Sequence, residues 1–515
     1  MKRIFGFLYY FIFILLVSIN IKFLFTGFFN NILDMQEFRQ THTAMATEYL
    51  MKGGFRLDYL VPVFGKPFSL PLEFPIYQVT VATISNILKL DMILAGRLVS
   101  ILFYYLSLIL IFFITKHFLK NTKRSLMVVS LFLVNPLYIF WSRTFMMEST
   151  VMFFSLLFLY SFLKLDSNIG VFMIGALLSG ITSAVSKGTT FFLYFFASLF
   201  LFLSTEVKRI LEQGINYLMK NRNSLLVRLF ILSAGVFALV VWTIYAGSVR
   251  KNNPLADAIL GGSTFYRWYF GTFMSRFSVD NWHQMYQIVL FNVNGNLVNG
   301  LMTVTFITAL LLAIFLKLKH KKEILILLAL FLLGPFVFTN LYVLHNYYYY
   351  ANLVFLLMAI GFFISSLLES KKLSLITVGY LYYFFMISIM ISGYRYYYYP
   401  FQKINQTKYL QLSSFVKQHT SKDDVLIMYG LDWRPVIPFY SKRAAIMDNQ
   451  NFPIDNKVFL DTIRNTGKSN IGVMIVDKDF ENKNKKFIED RIKFFDFRDS
   501  PKSMENCNIY FKAAK

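Results

Sequence analysis

The stretch IFGFLYYFIFILLVSINIKFLFTGFFNNILDMQEFRQ, residues 4 to 40, decides how the rest of the chain is read. Its first part, residues 4 to 26, is an apolar run behind Met1-Lys2-Arg3, longer than a signal-peptide core and without a small-residue cleavage site. A helix needs roughly 20 apolar residues to cross the hydrocarbon layer. The run is therefore expected to be an uncleaved first span with its N-terminus inside. Directly after it the chain turns polar at Asp34-Met35-Gln36-Glu37-Phe38-Arg39-Gln40. The loop that opens here, residues 27 to 97, gathers six acidic groups, Asp34, Glu37, Glu48, Asp58, Glu73 and Asp91, of the 14 found up to residue 392. It is expected to be the first large loop outside the membrane and to carry the chemistry.

Composition agrees with a polytopic helical membrane protein. Of 515 residues 56% are hydrophobic, 19% aromatic and only 16% charged, and the mean hydropathy is +0.51, outside the soluble globular range. The single cysteine, Cys507, excludes an intramolecular disulfide and a cysteine-rich metal site. A net charge of +24 does not signal nucleic acid, because the basic residues cluster in short loops between apolar runs, where they orient the protein and meet anionic membrane lipids.

Further spans are expected at 98 to 115, 125 to 141, 149 to 163, 169 to 186, 188 to 204, 229 to 247, 296 to 316, 324 to 341, 350 to 368 and 373 to 392, about 11 transmembrane helices in all. The basic clusters at Lys116 to Arg124, Lys164, Lys208 to Arg222, Lys317 to Lys322 and Lys371-Lys372 then all fall on the side of the N-terminus, as the positive-inside rule requires. After residue 392 the charge density rises. Residues 393 to 515 read as a small C-terminal α/β soluble domain on the outer side, with a helix over 402 to 419 and apolar strand-like runs at 425 to 429 and 471 to 476. Gly467-Lys468-Ser469 imitates the tail of a P-loop, but Thr462 stands where its first glycine is needed.

This topology leaves nine carboxylates outside: the six of the first loop, Glu148, Asp257 and Asp280. Most such groups are solvated loop charges. Asp34 and Glu37 stand apart, three residues from one another at the end of the first span, where a helical turn would set both on one face with Arg39 close enough to tune either. Glu148 lies in the short turn Trp141-Ser142-Arg143-Thr144-Phe145-Met146-Met147-Glu148. An ionised group costs about 2.5–3.5 kcal/mol at the centre of a spanning helix, less towards the interface, so Glu148 is expected to face protein, water or ligand; the plain reading is a pair with Arg143. In the last outer turn, His345-Asn346-Tyr347-Tyr348-Tyr349-Tyr350, the tyrosines read most simply as an aromatic belt, and His345 is a candidate for phosphate or metal.

Taken together, Asp34 with Glu37 and Arg39, Met51-Lys52-Gly53-Gly54, Gly65-Lys66-Pro67, Glu73-Phe74-Pro75 and Gly96-Arg97 resemble the first loop of the bacterial GT-C glycosyltransferases related to protein O-mannosyltransferases and aminoarabinose lipid A transferases. The Trp141 to Glu148 and His345 to Tyr348 turns resemble further signatures of that group, and Gly430-Leu431-Asp432-Trp433 its outer domain. Two departures stand out. The family often has adjacent Asp-Glu, and its later Lys-Pro pair is Phe74-Pro75 here, so the donor-phosphate lysine does not carry over.

The resemblance implies a transmembrane GT-C catalytic region over 1 to 392 and an extracytoplasmic domain over 393 to 515. It implies a multi-pass protein of the bacterial inner (plasma) membrane that moves a sugar from a polyprenyl-phosphate donor to a lipid, glycan or protein acceptor. Asp34 would be the inverting general base. Glu148, Glu37 or Glu73 would orient the acceptor or hold a divalent cation (Mg, Mn or Zn), with Asp34, Glu148 and His345 as candidate ligands. Arg39, Arg143, His345 and Tyr347 would bind the donor. A transporter or flippase for lipid-linked sugars, or an O-antigen polymerase or ligase working from residues 248 to 295, are the competing readings.

Overall fold

The computed structural model describes residues 2–289, 318–448 and 451–512. The span expected at 296 to 316 lies outside the described residues. Among those described, six helices are long and apolar enough to cross a membrane: Met92–Leu119, Ile169–Ser186, Gly188–Gln213, Arg222–Arg250, Asn346–Leu368 and Leu373–Gln402. They cover the apolar runs expected at 98 to 115, 169 to 186, 188 to 204, 229 to 247, 350 to 368 and 373 to 392. The chain is a mostly helical membrane protein, and it divides into two compact units.

The first unit comprises Met1–Phe28, Arg97–Val241 and Arg267–Lys403. Two of its helices are shorter than the apolar runs that encode them. The run 125 to 141 is interrupted: Thr122–Val134 ends at Asn135, and Pro136 opens a new helix, Pro136–Trp141. Proline cannot continue the hydrogen-bond ladder but suits a first helical turn, and the Asn135 side chain caps the new helix by accepting from the Leu137 and Tyr138 amides. The break leaves the Leu133 carbonyl for the side-chain amide of the buried Asn20, at 2.7 Å. In Lys321–Val337, Pro335 lacks the N–H that would reach the Phe331 carbonyl. The Asn352 side chain donates to that carbonyl at 2.9 Å from the neighbouring helix, which satisfies the group the proline leaves without a partner.

The second unit comprises Phe29–Gly96, Trp242–Tyr266 and Ile404–Lys515. Its sheet has the order β2-β1-β3-β5-β4, with β1 Val425–Tyr429, β2 Ala444–Asp448, β3 Ile471–Asp477, β4 Lys502–Met504 and β5 Cys507–Phe511. β1 runs parallel to β2 and β3, while β5 runs antiparallel to β3 and β4. All five residues of β1 are buried, as expected for a central parallel strand covered on both faces. The outer edge of β2 is not left open. Pro62 and Val63 accept from the Ala445 and Met447 amides, and Gly65 donates to the Ala445 carbonyl, so a piece of the first loop adds to the sheet.

Buried side chains hold that piece: the Thr466 hydroxyl accepts from the Lys66 amide at 3.1 Å, and Asn253 holds its carbonyls. Asn253, 2% exposed, caps the helix Pro254–Leu260 and gives its amide to the carbonyls of Phe64, Gly65 and Pro67 at 3.3, 3.0 and 2.8 Å. Gly65 has φ +72°, and a Cβ there would lie 2.6 Å from the Thr466 hydroxyl. The turn therefore requires glycine.

Candidate active site

In the second unit the candidate residues gather around the start of the helix Glu37–Gly53. Asp34 does not share a helical face with Glu37, as spacing suggested. Gln36, at φ 57° and ψ 39°, is left-handed and starts the helix one residue later, so Asp34 belongs to the approach and Glu37 to the first turn. Asp34 is 4% exposed, and its Oδ1 accepts from the Gln40 amide at 2.5 Å. The same amide donates to the Met35 carbonyl at 3.0 Å. Gln40, itself fully buried, thus fixes the carboxylate against the backbone that carries it.

Arg39 points to Glu73, with Nη2 2.8 Å from Oε1. Tyr59 holds the backbone at Glu73: its hydroxyl donates to the Glu73 carbonyl and accepts from the Leu72 and Glu73 amides. Behind Arg39 stands His42, 2% exposed, with Nδ1 3.4 Å from Arg39 Nη1 and its ring edge-on to Trp433 at 5.3 Å. Burial, with the Arg39 charge, holds the His42 pKa well below the usual imidazole range, so the ring is neutral. Glu37 is pushed up by burial, with Asp34 adding to the rise and Arg434, 3.7 Å away, opposing it. For Glu48 burial raises the pKa, but Lys442 and Lys52 outweigh it and the net shift is downward.

In the first unit, Glu148 is 3% exposed and opens the helix Glu148–Lys164. Its partner is Lys187, not Arg143: the ammonium lies 2.7 and 2.6 Å from the two carboxylate oxygens. Lys187 occupies the extended break between Ile169–Ser186 and Gly188–Gln213. Its ammonium also lies over the rings of Tyr348 and Tyr347, at 4.4 and 5.2 Å. His345 stacks on Tyr347 at 5.2 Å and meets Trp268 at 5.7 Å. Arg143, fully buried, donates to the Gly27 carbonyl at 3.0 Å.

The tyrosine run is not a lipid-facing belt. Tyr347 is 4% exposed and Tyr349 and Tyr350 are fully buried. The Tyr350 hydroxyl sits between those of Ser142 and Ser149 at 2.7 and 2.8 Å, and Tyr138 donates to its carbonyl. These hydroxyls demand hydrogen-bond partners that lipid does not offer.

Sequence reading did not single out Lys187. It gave no role to Gln40, His42 or Arg434. A lysine between two apolar runs is an audible signal, but its partner is not. Among the described residues no three His, Cys, Asp or Glu side chains gather as metal ligands would, and both Glu148 oxygens are held by Lys187. Within the first unit, Glu148 and His345 thus form no ready-made ligand set.

These helices and this sheet define a membrane protein with the GT-C fold. The chain is similar to ArnT from Cupriavidus metallidurans bound to undecaprenyl phosphate, with a TM-score of 0.58 and 11% identity over 97% of this chain and 98% of that one. It is also similar to the oligosaccharyltransferase AglB from Archaeoglobus fulgidus in complex with an inhibitory peptide and a dolichol-phosphate, with a TM-score of 0.57 and 11% identity over 95% of this chain and 71% of that one. No protein-family model matches the chain, and no curated protein matches it.

Proposed function

We propose that the chain is an integral-membrane glycosyltransferase that moves a sugar from a polyprenyl-phosphate donor to an acceptor on the outer face of a bacterial inner membrane, with Asp34 as general base. The observation that carries this reading is the buried Asp34 carboxylate, fixed by the Gln40 amide at 2.5 Å. Similarity of fold to proteins solved with undecaprenyl phosphate and dolichol-phosphate supports the donor class.

The chemistry needs a base more than an acid. A glycosyl phosphate carries its own leaving group, whose negative charge asks for cations. Asp34 takes the proton from the acceptor hydroxyl or amine as that atom attacks the anomeric carbon. The bond from that carbon to the phosphate oxygen breaks on the opposite face, and polyprenyl phosphate departs with its electron pair, inverting the centre. A positioned base contributes about 10²- to 10⁴-fold. Gln40 orients the Asp34 carboxylate, and the Arg39–Glu73 pair supplies an ordered, largely buried cation in the same unit. Glu37, with its raised pKa, suits a hydrogen-bonding role toward the acceptor. Glu148 is assigned to acceptor binding, and Arg143, His345 and Tyr347 to donor binding.

The experiment is transfer from a panel of radiolabelled polyprenyl-phosphate sugars into lipid, protein and polymer fractions, comparing membranes with intact protein and with Asp34→Asn at equal expression. Transfer of one label that needs the carboxylate supports the reading and identifies donor and acceptor class. Equal transfer by both refutes Asp34 as the base.

A further inference from the structure

A crevice of about 240 Å³ opens in the first unit between the helices Lys2–Leu24, Thr122–Val134 and Leu373–Gly393. Its walls are mostly apolar, and its few hydroxyls satisfy one another. Tyr9 and Tyr380 share a hydrogen bond across it, and Ser130 and Tyr383 share another at 2.6 Å. What enters it therefore meets no unanswered hydroxyl and gains by being hydrocarbon. One lining group differs: Lys123, in the first turn of Thr122–Val134, whose ammonium lies over the Tyr9 ring at 5.7 Å.

The surroundings of Lys123 are strongly cationic. Its neighbour Arg124 is ion-paired with Glu369. The same carboxylate also takes Lys319 at 2.7 Å and lies 3.5 Å from His320. One carboxylate shared by Arg124 and Lys319 leaves positive charge in excess, before Lys371 and Lys372, two and three residues along the chain, are counted. Ser130 lies seven residues beyond Lys123 on the same helix, about 10 Å deeper at 1.5 Å per residue. That is less than half of a hydrocarbon core about 30 Å thick.

We infer that this crevice is a binding site for an anionic two-chain phospholipid, its phosphate at Lys123 and one acyl chain lying along Phe13, Met127 and Phe384. Basic pockets between membrane helices bind anionic headgroups, with each cation near the surface worth about 1 kcal/mol. The limited depth suits the upper part of one acyl chain, the second remaining in the bilayer. The crevice shares no lining residue with those assigned to glycosyl transfer, and the inference does not depend on that assignment.

The test uses the purified full chain in nanodiscs carrying a phosphatidylglycerol or a phosphatidylcholine with a photoreactive acyl chain. After irradiation the labelled peptides are mapped. The expected result is labelling of residues 9 to 13 or 380 to 384, about five-fold stronger for phosphatidylglycerol, with that preference lost in Lys123→Gln. A second variant, Met127→Trp, fills the crevice and is expected to reduce labelling by both lipids. Equal labelling by the two lipids, or a preference that survives Lys123→Gln, overturns the inference. So does displacement by polyprenyl phosphate at lower concentration than by unlabelled phosphatidylglycerol, which would assign the crevice to an isoprenoid.

Discussion

The Lys187 ammonium grips both carboxylate oxygens of Glu148, at 2.7 and 2.6 Å, across 39 positions of sequence. The pair is 12% and 3% exposed. Removing one partner leaves the other buried and uncompensated, at a cost of about 3–5 kcal/mol. Lys187→Met is therefore expected to lower the unfolding midpoint of the detergent-solubilised protein sharply. The double variant Lys187→Met, Glu148→Gln recovers most of the loss, because no buried charge remains. Equal midpoints for the single and double variants would show that the pair does not act as one.

Arg39 and Glu73 are expected to act as a unit in transfer. Arg39→Lys keeps the charge but loses the planar donor geometry, and a displacement of about 1 Å near the reacting groups costs about 10²-fold. Arg39→Lys and Glu73→Gln should each reduce kcat/KM by about that factor, and the double variant by little more. Fully additive losses in a steady-state assay would argue for two independent roles.

His42 gives stability a pH dependence. Its folded pKa lies below the unfolded value of about 6.5. Below that pH the unfolded chain binds a proton that the folded chain does not, so stability present above pH ~6.5 is lost as pH falls toward the folded pKa, at up to about 1.4 kcal/mol per pH unit. The unfolding midpoint should drop between pH 7.5 and 5.5, and drop less in His42→Gln. An unchanged slope in the variant would remove His42 as the source.

The Arg434 charge holds down a Glu37 pKa that burial raises. Arg434→Gln removes that opposing charge and so favours the neutral carboxyl. If the ionised Glu37 is the form that accepts a hydrogen bond from the acceptor, the acid limb of the pH–rate profile moves to higher pH in this variant. A limb that stays in place would detach Glu37 ionisation from turnover.

Asn253→Ala removes a helix cap and the donor shared by three carbonyls. A lost cap costs about 0.5–2 kcal/mol and buried unsatisfied carbonyls about 1–3 kcal/mol. The variant should be destabilised by about 2–4 kcal/mol, with faster amide exchange at Ala445 and Met447 on β2. Protection unchanged at those amides would mean the added strand stands without Asn253.

The sequence by itself determined what local patterns encode. An apolar run uninterrupted by proline specifies a long helix from local pattern alone, so 169 to 186 forms the helix Ile169–Ser186. A short apolar run specifies a buried strand, so 425 to 429 forms Val425–Tyr429. The density of acids after the first span marked Asp34, Glu37 and Glu73. Tertiary structure decided the partners. That Arg39 meets Glu73, Glu148 meets Lys187, and residues 62 to 65 join β2 depends on contacts 34, 39 and hundreds of residues apart. Periodicity carries no information about such distances. Nor could it tell buried tyrosines from a belt, since both are aromatic runs at one depth, and only the neighbouring helices decide whether lipid or Ser142 and Ser149 meet the Tyr350 hydroxyl.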